Sequence, residues 1–230
     1  MNIHNSKVLT YSAAILMLGI MGILGVLSMA GDSVTVDEVS HIPAGYTYLV
    51  AQEYRLNLMH PPLIKDVAAI PLLFLHLNFP RDEPSWADNV NDQWNFGVNF
   101  FFHSGNDPDQ ILFWARVPMI ILTIALGWFL FRWSSIIGGR RVGLGVLFLF
   151  VFSPSFLAHG RLVTTDVGAA FAISLAAFAY ISFLHKPTIR HVVYVAATLA
   201  IAFLVKFNAL ILLPYFMTLT VLYILIQPKL

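Results

Sequence analysis

Two adjacent carboxylic acids, Asp37 and Glu38, directly follow the first long apolar stretch of the chain. Thr35 and Glu38 have the spacing of a capping box at a helix N-terminus, and this structural role explains Glu38 as well as a catalytic role does. Capping does not use Asp37, which shares a helical face with His41 because the two residues are four positions apart. Together they could bind a hydroxyl group or a divalent cation, and Asp37 could act as a general base.

Two basic residues lie within or at the edge of apolar stretches. Lys206 interrupts the apolar run from Val192 to Ile226, and a charge inside a membrane is costly enough to indicate function. The structural alternative is a lysine that extends from a tight helical hairpin to the membrane interface. Arg116 lies near the start of another apolar run, where it could bind a phosphate or contact lipid headgroups.

Asp166 and His60 complete the candidate set. Asp166, in GRLVTTD, could bind substrate or only cap a helix. His60, in MHPPL, has a neighbouring backbone restricted by two prolines and could bind substrate or be structural. Carboxylates that activate an acceptor and cations that hold a phosphate are the groups needed for a substrate with a lipid-embedded phosphate.

The composition predicts that a membrane protein positions these groups. Of 230 residues, 58% are hydrophobic and 11% are charged, whereas soluble domains have about 25% charged residues. The net charge of +1 provides no basic surface for nucleic acid. The absence of cysteine excludes disulfides, thiolate metal sites and cysteine nucleophiles.

Apolar runs predict an all-α integral membrane protein with about six transmembrane helices. The first run could also be a secretory signal peptide, but it is longer than the usual apolar region of about 7–15 residues, which favours an uncleaved anchor. The predicted spans are Val8–Ala30, Ile111–Phe131, Val142–Ala158, Val167–Leu184, Val192–Val205 and Ala209–Ile226.

Basic residues in the short loops predict the orientation, since they concentrate on the cytoplasmic side. This places the N-terminus in the cytoplasm and the loop 31–110 outside, in a multi-pass protein of the plasma (inner) membrane with its active site on the external side. Within that loop, Val39, Ile42 and Tyr46 have helical spacing that predicts an amphipathic helix on the membrane surface. Leu63–Phe79 predicts a second surface helix. The short loops assigned to the cytoplasm carry Arg132, Arg140, Arg141, Lys186 and Arg190. The short loops assigned to the outside carry only Arg161 and Lys206.

The acid pair is followed by the pattern H-x-x-x-G-Y-x-Y-L…Y-R-L-N-x-x-H-P-P-L-x-K. This resembles the polyprenyl-phosphate-sugar-dependent glycosyltransferases of the GT-C fold, most closely the protein O-mannosyltransferase and aminoarabinose-transferase branch. The later segments FGVNFFFHSGNDPDQILFWAR, GLGVLFLFVFSPSFLAHGRLVTTD and FLVKFNALILLP follow the family's order, so the resemblance runs from about residue 37 to residue 214.

The resemblance implies a role for each matching residue. Asp37 matches the family's catalytic acid in the first external loop, and Glu38 matches its partner. Arg116 matches an arginine at the outer end of the second span, and Asp166 matches a later external acid. Lys206 matches a lysine that approaches the lipid phosphate.

Two features depart from the family. Met59 precedes His60-Pro61-Pro62 at a position that is often acidic in relatives. Family members are also usually longer, with further spans and often an external C-terminal domain. Residues 1–230 are therefore predicted to be a single, incomplete GT-C-like transmembrane domain. It would be the N-terminal portion of a longer enzyme, the product of a truncated gene, or a minimal module that needs a partner.

The expected reaction is the inverting transfer of a mannose-like sugar, or another hexose or pentose, from a polyprenyl-phosphate carrier in the membrane lipid to a protein, lipid or glycan acceptor. Lys206 and Arg116 would bind the lipid phosphate, and His41, His60 and Asp166 would bind substrate. No cofactor is required by this scheme, and a divalent cation at Asp37, His41 or Asp166 stays open.

Three other classes of protein are alternatives to the glycosyltransferase. A transporter or channel subunit predicts polar residues repeated along single spans, whereas the polar residues here lie at span ends. A haem-binding subunit predicts facing histidines within spans, whereas His60, His76 and His103 lie in the external loop. A non-catalytic fragment or scaffold would keep the fold but lack part of the site.

Overall fold

The computed structural model of the protein describes residues 3–29 and 31–226. All regular secondary structure in these ranges is helical, which confirms the predicted all-α class. The helices are α1 Ile3–Met29, α2 Val36–Ala51, α3 Leu63–Ala69, α4 Pro84–Ala87, α5 Gln93–Val98, α6 Pro108–Val151, α7 Pro154–His159, α8 Asp166–His185, α9 Ile189–Val205 and α10 Leu212–Ile226. Short 3-10 helices occupy Ile70–Phe74 and Phe207–Ile211, and a π-helical turn occupies Asn99–His103.

Among the residues that the structure describes, four helices are long and apolar enough to cross a membrane, where about six spans were predicted. They are Lys7–Met29, Pro108–Val151, Asp166–His185 and Phe207–Ile226. The predicted span 192–205 lies in α9, which is apolar but shorter than these four. The predicted span 142–158 does not form a separate continuous helix: its first part belongs to α6, and helicity is interrupted before Pro154, because proline cannot continue a helix from the preceding turn. Ala30, the predicted end of the first span, lies outside the described residues.

Helix α6 is a hairpin rather than one straight rod. Gly139 has φ 80° and ψ 169°, a non-helical conformation in the region that favours glycine. A Cβ at Gly143 would lie 2.9 Å from the carbonyl oxygen of Phe131, and one at Gly127 would lie 2.9 Å from a ring carbon of Phe150. The arms 108–138 and 140–151 therefore run antiparallel. The first arm contains the second predicted span, and the second arm contains only residues 142–151 of the third.

The described chain divides into two compact units. The first contains the chain up to Leu58 together with Ile64–Val167, and the second contains Met59–Leu63 and Gly168–Leu230. In the first unit, α1 packs along the first arm of α6. A Cβ at Gly25 would lie 3.3 Å from Ile120, and one at Gly22 would lie 3.0 Å from Ile124, so small residues allow the two helices to approach closely.

Helix α2 lies inside the first unit, which differs from the one-sided surface position predicted for it. Every residue from Ser40 to Tyr48 is buried. A Cβ at Gly97 would lie 2.0 Å from the carbonyl oxygen of Val39, and one at Gly45 would lie 2.1 Å from that of Lys65. The neighbouring segments therefore touch α2 backbone to backbone on two sides.

In the first unit, the residues between α2 and α6 have an aromatic core. Phe79 lies 4.9 Å from Trp86 and 5.7 Å from Phe96, and Tyr46 lies 5.4 Å from Phe100, measured between ring centroids. The second predicted surface helix is α3 followed by the 3-10 turn, whose Phe74 side chain is 82% exposed. The segment that contains α3, α4, α5 and the π-helical turn is therefore a folded layer attached to α2.

In the second unit, α8, α9 and α10 are predominantly apolar. The rings of Tyr180 on α8 and Phe216 on α10 stack in parallel with their centroids 3.9 Å apart. Lys206 lies where α9 ends and the following 3-10 helix begins, with an extended backbone at φ −155°. The apolar run is therefore divided at Lys206, as predicted, because α9 ends before this residue and the 3-10 helix begins after it.

Candidate functional site

Glu38 and Arg116 form a fully buried ion pair that joins α2 to α6. Arg116 donates from Nε to Oε1 at 2.8 Å and from Nη2 to Oε2 at 2.7 Å, and both side chains have 0% exposure. The two parallel hydrogen bonds match the geometry in which arginine binds a carboxylate most strongly. The pair therefore fixes the first turn of α2 against the first arm of α6.

Three further donors complete the surroundings of the Glu38 carboxylate. The Thr35 backbone N–H lies 3.0 Å and its hydroxyl 2.9 Å from Oε2, and the Val163 N–H lies 3.1 Å from Oε1. Burial alone would raise the pKa of Glu38, but the hydrogen bonds and charge of Arg116, with the two backbone N–H groups, lower it. A buried carboxylate that accepts five hydrogen bonds is poorly suited to take a proton, so this geometry favours a positioning role for Glu38.

Arg116 has no exposed nitrogen for a lipid phosphate in this arrangement, which differs from the role predicted for it. Besides Glu38, it donates from Nη2 to the Ser33 carbonyl at 3.0 Å. Its Nη1 is buried, makes no hydrogen bond and lies 3.8 Å from the Asp32 carboxylate. Arg116 therefore stabilises the loop between α1 and α2 from within.

Arg161 and Asp32 form a second, more exposed ion pair beside the first. The Arg161 guanidinium donates to Asp32, and the exposed fractions of the two side chains are 16% and 42%. The hydrogen bond from Arg161, followed by the charges of Arg161 and Arg116, lowers the pKa of Asp32 against the opposing effect of desolvation. Sequence reasoning missed both residues, although Arg161 is the only lysine or arginine between residues 142 and 185.

Asp37 is exposed in the first turn of α2, directly beside the buried Glu38. His41, on the next turn, is 4% exposed, and its Nδ1 lies 3.0 Å from the Val163 carbonyl oxygen. The buried His41 therefore holds the segment around Val163, while the Asp37 side chain is exposed. In residues 3–29 and 31–226, no group of three or more His, Cys, Asp or Glu side chains could hold a metal ion.

The three other predicted site residues, Asp166, Lys206 and His60, do not all belong to the same unit. Asp166 is exposed and is the first residue of α8, in the first unit. Lys206 and His60 are both half-buried and belong to the second unit. The backbone N–H of Lys206 donates to Ala202 at 3.0 Å as α9 ends. The structure thus brings Glu38, Arg116 and His41 together, whereas the convergence of Lys206 and His60 on Asp37 stays a prediction, as do the catalytic roles.

Comparison with known protein families gives a match. The sequence model of the family described as dolichyl-phosphate-mannose-protein mannosyltransferase matches residues 109–230. No curated protein and no solved structure matches the chain. The matched region includes Arg116, Arg161, Asp166 and Lys206 and covers more than half of the sequence. The chain therefore belongs to the dolichyl-phosphate-mannose-protein mannosyltransferase family, a family of membrane glycosyltransferases of the GT-C type.

Proposed function

We propose that this protein transfers a mannose-like sugar, or another hexose or pentose, from a polyprenyl-phosphate carrier to an acceptor hydroxyl at the outer face of the plasma (inner) membrane. Family membership supports the glycosyl transfer. The observation that carries the proposal is the buried Glu38–Arg116 pair, which anchors the first turn of α2 and leaves the adjacent Asp37 exposed. A rigidly held carboxylate open to a substrate is what a general base requires.

In the proposed reaction, Asp37 accepts the proton of the acceptor hydroxyl while that oxygen attacks the anomeric carbon of the sugar. The bond between this carbon and the phosphate oxygen breaks, and the lipid phosphate leaves with the bonding electron pair. Attack from the side opposite the phosphate inverts the anomeric carbon, and the transition state has oxocarbenium character. The sugar is already activated by its phosphate, so no step of this scheme needs a further cofactor.

The leaving phosphate develops negative charge that basic side chains would stabilise. We assign this role to Lys206 and to Arg161 in place of the buried Arg116. The Arg161 side chain is partly exposed, whereas that of Arg116 is fully buried. His41, through the Val163 carbonyl, would position the segment that carries Arg161 rather than contact substrate, while Asp166 and His60 would contact the sugar or the acceptor.

The family description names a protein acceptor, which supports a protein acceptor for this chain. Protein hydroxyl groups are therefore the first acceptors to test, ahead of lipids and glycans. The distribution of Lys and Arg among the short loops supports a multi-pass topology with a cytoplasmic N-terminus and an external site.

The test is sugar transfer or donor hydrolysis in membranes that contain the full chain, with a panel of labelled polyprenyl-phosphate sugars. We expect turnover by the native protein and a loss of at least about a hundredfold in Asp37→Asn, since loss of a general base typically costs 10²–10⁴ in rate. Asp88→Asn, which changes another exposed acid of the same unit, is the matched control. Turnover by Asp37→Asn equal to that of Asp88→Asn would contradict the assignment of the base.

A further inference from the structure

A fully buried lysine, Lys65, lies in the folded layer next to α2, outside the groups used above. Its side chain is 1% exposed, and its Nζ donates to the Tyr48 hydroxyl at 2.9 Å, to the Asn57 carbonyl at 2.9 Å and to Asn57 Oδ1 at 3.3 Å. All three ammonium N–H groups thus have acceptors. Burying a charge is costly unless it is fully hydrogen-bonded, so a lysine at this position needs a physical explanation.

The hydrogen bonds continue from Lys65 to the first turn of α2. The Asn57 side-chain amide donates from Nδ2 to the Ser40 hydroxyl at 3.1 Å, and the Ser40 hydroxyl donates to the backbone carbonyl of Asp37 at 3.0 Å. Asn57 and Ser40 are each 3% exposed. The chain Lys65–Asn57–Ser40 is therefore a buried connection that ends at the peptide group of the proposed base.

Both the backbone and the side chain of Asn57 take part in this connection. Its backbone has φ 51°, in the left-handed region that few residues other than glycine and asparagine adopt. In this conformation the Asn57 carbonyl and Oδ1 both face the Lys65 ammonium, while Nδ2 faces Ser40. Tyr48, which also accepts from Lys65, donates its own hydroxyl to the Leu56 carbonyl. The segment 56–57 is therefore held at several points.

We propose that Lys65, Asn57 and Ser40 are positioning residues that hold the Asp37 peptide, and with it the carboxylate, in the orientation needed for proton transfer. Asp37 is then fixed from two directions. The Glu38–Arg116 pair holds the turn against α6, and the Lys65 connection holds it against the folded layer. This inference rests on the proposed function for Asp37, whereas the connection itself is a property of the fold.

The test uses the full chain in detergent or membranes and three small substitutions. Ser40→Ala removes the hydroxyl that contacts the Asp37 carbonyl, and Asn57→Gly removes the amide while keeping the left-handed backbone. Thr47→Val is the matched control, because Thr47 is also a fully buried hydroxyl of α2 but donates only to the Ala44 carbonyl at 2.8 Å. Each variant is assayed for kcat and KM of sugar transfer and for amide hydrogen exchange.

We expect Ser40→Ala and Asn57→Gly to lower kcat by about ten- to a hundredfold with KM for the donor nearly unchanged, since small displacements of a reacting group have effects of this size. The double variant should lose no more activity than the more impaired of the two single variants, because both substitutions break the same connection. Amide exchange of residues 37–41 should accelerate in both single variants. Thr47→Val should match the native protein in all three measurements.

Native kcat and native exchange in Ser40→Ala would overturn the inference, and so would equal acceleration of exchange in Thr47→Val, which would indicate general loosening. Failure of the proposed function is a separate outcome: the native protein shows no transfer, or Asp37→Asn keeps its activity. In that outcome the exchange comparison still decides whether the connection holds the first turn of α2.

Discussion

The Glu38–Arg116 pair illustrates how one buried contact controls both stability and the position of the site. Replacing Glu38 by glutamine would remove the buried partner charge of the Arg116 guanidinium and leave only the partly exposed Asp32 carboxylate, 3.8 Å away. Breaking a buried pair from one side costs about 3–5 kcal/mol. We therefore expect Glu38→Gln to lower the thermal unfolding midpoint at pH 7, measured in detergent, and to reduce activity through displacement of Asp37.

The pH dependence of stability separates this effect from a simple loss of packing. Because the pKa of Glu38 is lower in the folded protein than the value of 4.5 for a free side chain, its contribution is complete above pH 4.5 and is lost as the pH falls through the folded pKa. Native protein should thus lose more stability on acidification than Glu38→Gln does. The control is Glu53→Gln, at an exposed ion pair with Arg55; an equal acid response in Glu38→Gln and Glu53→Gln would contradict the argument.

Part of the residue-scale picture could be predicted from the sequence. The spacing of Thr35 and Glu38 predicts the contact between the Thr35 N–H and the Glu38 carboxylate, and the structure confirms it. The partner Arg116 is 78 positions away, and only the packing of α2 against α6 brings it there. The Lys65 connection was missed for the same reason, since Asn57 and Ser40 are 17 positions apart and only the packing of the chain brings them together.

At the scale of elements, the close approach of α5 to α2 gives a sharp prediction. A Cβ at Gly97 would lie 2.0 Å from the Val39 carbonyl oxygen and 2.7 Å from the Val39 side chain, so Gly97→Ala must push α5 away from the turn that carries Asp37. Overpacking of this kind costs about 1–3 kcal/mol. We expect a lower unfolding midpoint and lower kcat in Gly97→Ala, measured on purified protein.

The control for Gly97→Ala is Gly19→Ala in α1, where a Cβ would meet nothing within 4 Å. Alanine is the better helix former, so this substitution should leave stability unchanged or slightly raise it. A native unfolding midpoint in Gly97→Ala would show that α2 and α5 are less tightly packed than the structure indicates.

Element types were easier to predict than element surroundings. Apolar runs and caps identify α1, α2 and both arms of α6, because these signals are local. The apolar spacing of Ile42 and Tyr46 predicted a helix with one buried face, but contacts with Gly97 and Lys65 bury its other faces as well. Similarly, the charged stretch around Arg140 predicted a loop, whereas a single glycine, Gly139, reverses the helix.

At the scale of the whole molecule, the turn of the α6 hairpin and the folded layer are expected on opposite sides of the membrane. The hairpin turn lies beside Arg140 and Arg141, and positively charged loops stay in the cytoplasm. The folded layer and α2 both belong to the predicted external loop 31–110. This orientation would place Asp37 where a lipid-linked sugar and an external acceptor could meet.

The absence of cysteine from the sequence allows a direct test of this orientation with single-cysteine variants. Val90→Cys lies in the folded layer, where the native side chain is 67% exposed, and Ile137→Cys lies at the α6 turn, where it is 75% exposed. In intact cells a membrane-impermeant thiol reagent should label Val90→Cys and spare Ile137→Cys, and permeabilised cells should show both labelled. Because the two sites are similarly exposed in the fold, a difference in intact cells reports the membrane side. The reverse labelling pattern would place the Asp37 carboxylate in the cytoplasm and would require a cytoplasmic acceptor.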